Sequence, residues 1–413
     1  MNRKDIEIMA PAGSLESLEA AIAAGADSVY FGVGKLNMRA RSSVNFTPSD
    51  LPVITARCAE MGVKSYLTMN TVVYPDDLSF MQQAIDAAAE AGITAVIASD
   101  MAVIMYARSK GVNVHISTQV NVANQEAVRF YSQFADVMVL ARELNLEQVA
   151  FIRKAIADER ITGPSGREVQ LEMFVHGALC MAVSGKCYLS LHTYGKSANR
   201  GACLQLCRRS YRVTDTDTDT ELEVDNEYIM SPKDLSTIGF LNKILDSGVR
   251  VLKIEGRARG AEYVYTVTSC YREAVEAWLD GSYADESKIA GWIERLSRVF
   301  NRGFWDGYYL GQKLGEWSHT YGSQATRRKV YLGKCTNWFA NLGVAEFLLE
   351  TGTLKTGDTV LITGATTGVV ELQAGELRLE YDPVASVEKG QRFSLKTGIR
   401  VHRGDQLFRW DLV

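Results

Sequence analysis

The first two thirds of the chain repeat one unit, in which a short apolar strand is followed by a polar turn and an amphipathic helix. Four of the helical patterns run directly into glycine, where a left-handed helix end is common. Strands that alternate with helices at this spacing predict a parallel sheet. The four glycines are Gly25, Gly62, Gly92 and Gly111, and the strand-like runs are Ile6–Ala10, Ser28–Val33, Lys64–Met69, Ala95–Ala98, Val112–Ser117, Val137–Ala141, Gln170–Val175 and Val249–Glu255.

Eight such runs favour a closed, TIM-barrel-like (β/α)8 domain over an open doubly wound sheet. We expect this catalytic domain over residues 1–280, with a cysteine-rich insertion at 176–230 before the last strand. Residues 281–326 are interpreted as a helical linker. From 327 the apolar runs become short and are separated by glycine-containing turns, so residues 327–413 are predicted to form a small C-terminal β-barrel domain.

Composition excludes several classes of protein. The 413 residues are 46% hydrophobic, which is ample for a large core. The formal net charge of −4 does not indicate a chain that binds nucleic acid over its whole surface, although a local basic patch still could. No apolar run approaches the ~20 residues of a membrane span, and the N-terminus is polar. We therefore expect a cytoplasmic protein with no membrane partner.

Four of the seven cysteines fall close together, at Cys180, Cys187, Cys203 and Cys207, with 6, 15 and 3 residues between them. Iron–sulfur clusters need three or four thiolates that converge from a loop-rich segment. Structural zinc would also accept four thiolates but favours closely spaced pairs, and only the second pair here is of that kind. The spacing predicts a metal or cluster site and leaves cluster and zinc both open.

The same segment is strongly basic. Between Met173 and Thr214 there is no Asp or Glu. Nearby cations stabilise an anionic cluster, and they would also bind RNA phosphates. A solvated basic face is the plainer alternative. The basic residues are Lys186, Lys196, Arg200, Arg208, Arg209 and Arg212.

Further candidate site residues lie at the C-terminal ends of the predicted strands, where the active sites of such barrels form. Alternation along the seventh strand places Glu172 and His176 on one face, as an acid–base pair or as structural groups. Arg39 and Arg41 follow the second strand, where they could bind a carboxylate or phosphate through paired hydrogen bonds. Lys253, Glu255 and Arg257 lie at the end of the eighth strand. His115 and Gln119, at the end of the fifth strand, are candidates for the same reason. No protease triad is evident, although the closeness of His176 to Cys180 keeps a cysteine protease open.

Taken together, these residues resemble the family called peptidase U32. The segment EMFVHGALCMAVSGKCYLS resembles its signature through Glu172, Phe174, Gly177, Cys180, Gly185 and Cys187. MAPAGSLESLEAAIAAGADSVYFG, VLKIEGR and the late RGDQLFR also match. The resemblance therefore covers essentially the whole chain. One position departs from it, because Ser236 stands where many relatives carry a cysteine in KDLC.

The resemblance implies an activity and a cofactor. The family includes collagenase-like proteases and oxygen-independent hydroxylation proteins that act on tRNA, on rRNA or in ubiquinone synthesis. It implies a [4Fe–4S] cluster held by Cys180, Cys187 and Cys203, with prephenate as a possible cosubstrate. Either Cys207 is the fourth ligand or, with Ser236 in place of the relatives' cysteine, the iron is open or oxygen-ligated. The resemblance also implies tRNA contacts through the basic segment 186–212 and the C-terminal domain, and a possible partner chain of the same family.

Three hypotheses follow. The first is iron–sulfur-dependent 5-hydroxyuridine formation at the tRNA wobble position, with 23S rRNA cytidine hydroxylation as its variant. The second is a collagenase-like peptidase. The third is a cluster-bearing subunit that needs a partner chain. The candidate catalytic residues under the first are Arg39, Arg41, Glu172, His176, Lys253 and Glu255.

Overall fold

The structure is a computed structural model that describes residues 2–41, 45–212, 214–218, 220–221 and 230–413. Its N-terminal domain is a barrel of eight parallel strands, whose last strand pairs with both the first and the seventh. The predicted TIM-like barrel is confirmed. The strands are β1 (Glu7–Pro11), β2 (Ser28–Gly32), β3 (Lys64–Met69), β4 (Ala95–Ala98), β5 (Asn113–Ile116), β6 (Val137–Val139), β7 (Gln170–Ala178) and β8 (Val251–Ile254).

Helices cover the outside of the barrel, and their ends follow the local sequence. The four glycines that end helical patterns all have positive φ, between 67° and 85°. Ser14 and Asp100 begin their helices by accepting a backbone N–H bond on the side-chain oxygen. The helices are α1 (Leu15–Ala23), α2 (Leu51–Glu60), α3 (Leu78–Glu90), α4 (Met101–Ser109), α5 (Gln125–Tyr131), α6 (Leu146–Asp158), α7 (Leu189–Tyr194), α8 (Leu241–Asp246), α9 (Ala261–Asp280) and α10 (Glu286–Ser297).

The segment 281–326, predicted to be a helical linker, is helical only in α10. The remainder folds back over the barrel, and the short strand Phe304–Trp305 pairs with Asp234–Ser236, which itself lies antiparallel to the end of β7. Periodicity detected α10 but could not show that an irregular segment returns to the barrel mouth. In the described part of the chain, no helix is both long enough and apolar enough to cross a membrane.

The C-terminal residues form the predicted all-β domain with its own core. Its eight-stranded antiparallel sheet contains Arg327–Phe339, Val344–Leu349, Thr359–Gly364, Gly368–Gln373, Leu377–Leu379, Asp382–Val384, Arg392–Lys396 and Gln406–Leu412, and Thr353–Lys355 pairs separately with Ser386–Glu388. The domain packs on α1 and α9. Lys329 Nζ pairs with Glu262 Oε2 at 2.9 Å, near the start of α9.

The end of β7 is irregular, and this irregularity positions the segment that follows. We call the part from Cys180 to Cys207 the cysteine segment. Phe174 pairs with Lys253, but His176 pairs with Ile254, so Val175 is an extra residue on β7. A bulge of this kind turns the following side chains to the other face. Gly177 follows with φ +105°, and a Cβ there would lie 2.3 Å from the backbone oxygen of Glu255. Only glycine fits where the two backbones approach so closely.

We predict that Gly177→Ala destabilises the protein by roughly 3 kcal/mol, because it adds a left-handed alanine and a backbone clash. Chemical unfolding of the purified full chain measures the change. Gly239→Ala is the control, since it has open space around its Cβ position and no positive φ, and it should change stability by less than about 0.5 kcal/mol. Equal effects of the two substitutions would contradict the proposed steric role.

Candidate active site at the mouth of the barrel

A cavity of about 180 Å³ opens at the C-terminal ends of the barrel strands. Its floor is formed by side chains of β2, β3, β7 and β8, and its roof by the cysteine segment. All four clustered cysteines line it. The described lining also holds the carboxylate of Glu255 and seven cations: Arg39, Arg142, Arg208, Lys253, Arg257, Arg259 and Arg302. The cavity therefore favours an anionic occupant.

The cysteine segment is fastened to itself and to the barrel. The backbone N–H of Leu204 donates to Ser190 Oγ at 3.0 Å, which ties the Cys187 side of the segment to the Cys203 side. Arg208 donates to the carbonyl of Leu179 at 2.7 Å and so ties Cys207 to Cys180. Arg200 pairs with the buried Asp77 at 2.7 Å and anchors the segment to the barrel. The positions of the four thiols are thus set by contacts outside the thiols themselves.

The four thiols differ in exposure. Cys180 is exposed, and the other three are partly buried. Burial raises the pKa of Cys207 to about 11 and also raises that of Cys187. Each of these two thiols also interacts electrostatically with Cys180 and Cys203. Within the described ranges, no three Cys, His, Asp or Glu side chains converge as they would around one metal ion.

Ser236 is not placed as a further ligand. It lies on the short strand that pairs with β7, opposite His176. Its hydroxyl interacts with that of Tyr271, and it is absent from the residues that line the cavity. Of the two sequence positions considered for a fourth ligand, only Cys207 lies in the cavity.

A buried ion pair underlies the cavity. Lys253 Nζ donates to Glu172 Oε1 at 2.7 Å, and both side chains are almost fully buried. His115 Nδ1 lies 3.8 Å from Glu172 Oε2, and neither atom has a hydrogen-bond partner among the described residues. Burial, opposed by Lys253, raises the pKa of Glu172, and burial lowers that of His115 to about 4. Lys253 lines the cavity, whereas Glu172 does not line it and contacts it through Lys253.

The ends of β2 and β8 meet through a second ion pair. Arg39 donates through Nη2 to Glu255 Oε1 at 3.0 Å. Burial alone would raise the pKa of Glu255, but Arg39 and Arg257 outweigh it and hold that pKa below its usual value. Arg257 is buried and, among the described residues, donates to two neutral oxygens, Asn37 Oδ1 at 3.1 Å and Thr68 Oγ1 at 2.7 Å. Burial lowers its pKa to about 10, as expected for a cation that lacks a full counterion.

Two predicted site residues lie elsewhere. The bulge in β7 turns His176 away from the cavity, so the prediction that it shares a face with Glu172 is wrong. Its ring lies against Phe304 and Tyr263, and its Nδ1 is 3.4 Å from the hydroxyl of Tyr271. Arg41 is exposed and does not line the cavity. The cations of the cavity that the sequence analysis missed are Arg142, which follows β6, and Arg259 and Arg302.

Comparisons with known proteins identify the family of the chain. Residues 13–319 match Peptidase family U32. The chain belongs to this family. The U32 chain is 60% identical over 411 residues to a protein named "Collagenase" from Porphyromonas gingivalis, with 100% of this chain and 99% of that protein covered.

Other relatives of this U32 chain carry a different kind of name. It is 32% identical to the "tRNA hydroxylation protein P1" of Bacillus subtilis, covering 76% of this chain and 74% of that protein. It is also 32% identical to the "23S rRNA 5-hydroxycytidine C2501 synthase" of Escherichia coli, covering 75% of this chain and 46% of that protein. Both kinds of name describe enzymes.

The environment of His176 predicts a pH effect on stability. Burial lowers its pKa from 6.5 to about 3. Between these values the unfolded chain binds one more proton than the native chain, so stability falls as the pH drops. Because of this residue, the unsubstituted protein should lose about 2 kcal/mol of its free energy of unfolding between pH 7 and pH 5. His176→Phe should not show this loss, and chemical unfolding at the two pH values measures the difference. His192→Phe, at an exposed position, is the control. An unchanged pH dependence in His176→Phe would contradict the buried, neutral imidazole.

Proposed function

We propose that this U32 chain is an iron–sulfur-dependent RNA hydroxylase that forms 5-hydroxyuridine at the wobble position of tRNA. The observation that carries the proposal is that four thiols line one cation-rich cavity at the barrel mouth. The relatives named for tRNA and rRNA hydroxylation support the reaction class. Single-stranded anticodon nucleotides suit such a cavity, since an unpaired base can enter a pocket.

The donor set suits a [4Fe–4S] cluster. Cys180, Cys187, Cys203 and Cys207 would hold it, and when bound it would supply electron transfer or a Lewis-acidic iron. A single zinc ion needs its four sulfur ligands within about 2.3 Å of one point. The thiols here do not converge in that way, whereas a cluster contributes its own iron and sulfide and joins thiolates that lie farther apart. The surrounding arginines would compensate the cluster's negative charge.

The remaining cavity residues suit the binding of a base and a carboxylate. Among the described residues Arg257 hydrogen-bonds to neutral oxygens and forms no ion pair, so it is our candidate to bind the carboxylates of a cosubstrate of the prephenate class. Asn70 Nδ2 donates to Gln119 Oε1 at 3.1 Å, and these two amides offer hydrogen bonds to a base edge. Phe174 supplies an apolar surface, and Lys253 is placed to transfer or hold a proton above Glu172.

The tRNA contact proposed for residues 186–212 falls on its exposed cations. Lys186, Lys196 and Arg209 are exposed near the cavity, whereas Arg200 and Arg208 are engaged in holding the segment. The C-terminal domain, packed on α1 and α9, would extend the same surface. A partner chain of the same family is compatible with this arrangement.

A peptidase is the second candidate, because the relative that is 60% identical is named "Collagenase". Cysteine proteolysis needs a histidine beside the nucleophile. No histidine is found among the described residues that line the cavity, and His176 faces α9. Cleavage of gelatin by the anaerobically prepared protein, lost on Cys180→Ala, would favour this candidate over hydroxylation.

We predict that protein purified without oxygen is brown, with absorption near ~400 nm and about four iron and four sulfide per chain. Cys207→Ala should bleach it, because Cys207 is the fourth thiol in the cavity. Cys58→Ala is the control, since Cys58 is buried in α2, and it should keep the colour. Colourless protein that binds one zinc ion would contradict the cluster.

We predict that deletion of the gene removes a +16 Da uridine from tRNA, measured by nucleoside mass spectrometry. Complementation with Arg39→Gln should restore at most about a tenth of the modification, since a charged hydrogen-bond donor in the cavity contributes about 1.5–3 kcal/mol. Arg41→Gln, exposed and outside the cavity, is the matched control and should restore it fully. A deletion strain that retains its hydroxylated uridine would contradict the tRNA assignment, provided that it has no second family member.

A further inference from the structure

A second groove adjoins the mouth cavity and shares one wall with it. Cys203, Gln205, Arg208, Arg259 and Arg302 line both. We call it the side groove. Its other lining residues are Leu204, Arg209, Ser231, Phe300, Thr320, Tyr321 and Gly322. A ligand that extends along the side groove would therefore reach the cavity that holds the cysteines.

The side groove has an excess of positive charge. Four arginines line it, and its described lining contains no Asp or Glu. Arg302 is paired with the buried Asp234 at 3.3 Å. The acceptors of Arg208 in the described part of the chain are neutral oxygens, including Ser231 Oγ at 3.0 Å and the carbonyl of Pro232 at 2.6 Å. Asp234 is thus the one carboxylate described beside several guanidinium groups. An anion bound in the groove would neutralise the positive charge that Asp234 leaves unbalanced.

Arg259 is the guanidinium most available to such an anion. It lies 3.4 Å above the ring centre of Phe300, and Arg302 lies 5.0 Å from the same ring. Within the part of the chain that the structure describes, the side chain of Arg259 has neither a hydrogen-bond acceptor nor an ion-pair partner. Burial and the neighbouring Arg302 both lower its pKa, which agrees with unbalanced charge.

The rim of the groove is aromatic as well as basic. The side chain of Tyr321 is 74% exposed. Arg209 lies beside Tyr194, with its Nη1 3.3 Å from that hydroxyl, and interacts electrostatically with Tyr321. Exposed rings beside guanidinium groups suit a single strand, because bases stack on the rings while arginines hold the phosphates. A free inorganic anion would make no use of the rings.

We propose that the side groove binds single-stranded RNA, with a phosphodiester on Arg259 and Arg302 and the adjacent base stacked on Tyr321. The shared wall would then deliver the next nucleotide to the mouth cavity. The choice of RNA rests on the proposed function. The groove explains how a buried site receives one nucleotide of a longer strand.

The test measures binding of a fluorescein-labelled, 17-nucleotide single-stranded RNA to the cluster-loaded full chain by fluorescence anisotropy. Arg259→Gln should weaken binding about tenfold in 0.1 M salt and reduce the salt dependence by about 0.7 in the log–log slope, the value for one phosphate contact. Tyr321→Ala should weaken it at least fivefold, as the loss of one stacked base would. Tyr321→Phe keeps the ring and should restore affinity. Arg129→Gln, at an exposed position of α5 that pairs with Glu126 and Glu159 and lines neither the side groove nor the mouth cavity, should have no effect.

Three results would overturn the proposal. Unchanged RNA affinity in both Arg259→Gln and Tyr321→Ala would do so. So would equal competition by uridine monophosphate or inorganic phosphate, which would identify a free phosphate ligand. Loss of visible absorption in Arg259→Gln with unchanged RNA binding would assign the arginine to the cluster instead.

The same measurements separate this proposal from the proposed function. In one outcome, RNA binding depends on Arg259 and Tyr321, but deletion of the gene leaves every hydroxylated nucleoside intact. This outcome would support RNA binding in the side groove and contradict the proposed hydroxylase activity. Normal hydroxylation with both variants binding RNA as tightly as the unsubstituted protein would contradict the groove alone.

Discussion

The ion pair between Glu172 and Lys253 lies at the seam where the barrel closes. It joins β7 to β8, the only neighbouring barrel strands between which the chain inserts the cysteine segment. Breaking a buried pair of this kind costs about 3–5 kcal/mol, because it leaves an unpaired charge in a low-dielectric interior. The pair fixes Lys253 in the floor of the mouth cavity and Phe174 beside it.

The mouth cavity concentrates positive charge that the protein itself only partly neutralises. Arg39 forms an ion pair with Glu255, whereas among the described residues Arg257 hydrogen-bonds only to neutral oxygens and Arg259 lies against an aromatic ring. Holding like charges together in a partly buried site destabilises the unliganded protein. Such an arrangement persists where anionic ligands restore the balance, so the charge pattern and the thiols describe one site.

The fold was largely predictable from the sequence, since strand and helix periodicities and helix-ending glycines are local signals. The cysteines and the residues that follow strands were predictable for the same reason, and Arg39, Lys253, Glu255 and all four cysteines do line the cavity. His176 was not, because a one-residue bulge reverses alternation and leaves no mark in the pattern of apolar residues. Arg302 was not, because it reaches the cavity from an irregular segment with no periodicity to place it.

The order of the strands along the chain also constrains how the protein is made. β1 pairs with β8, and the paired residues Glu7 and Val251 lie 244 positions apart in the chain. Contacts so distant in sequence form late and slowly. On the ribosome, seven strands and the whole cysteine segment emerge before the closing strand is available. The nascent barrel is therefore an open sheet with exposed edges at β1 and β7, and its cysteines emerge into the surroundings before the wall beneath them is complete.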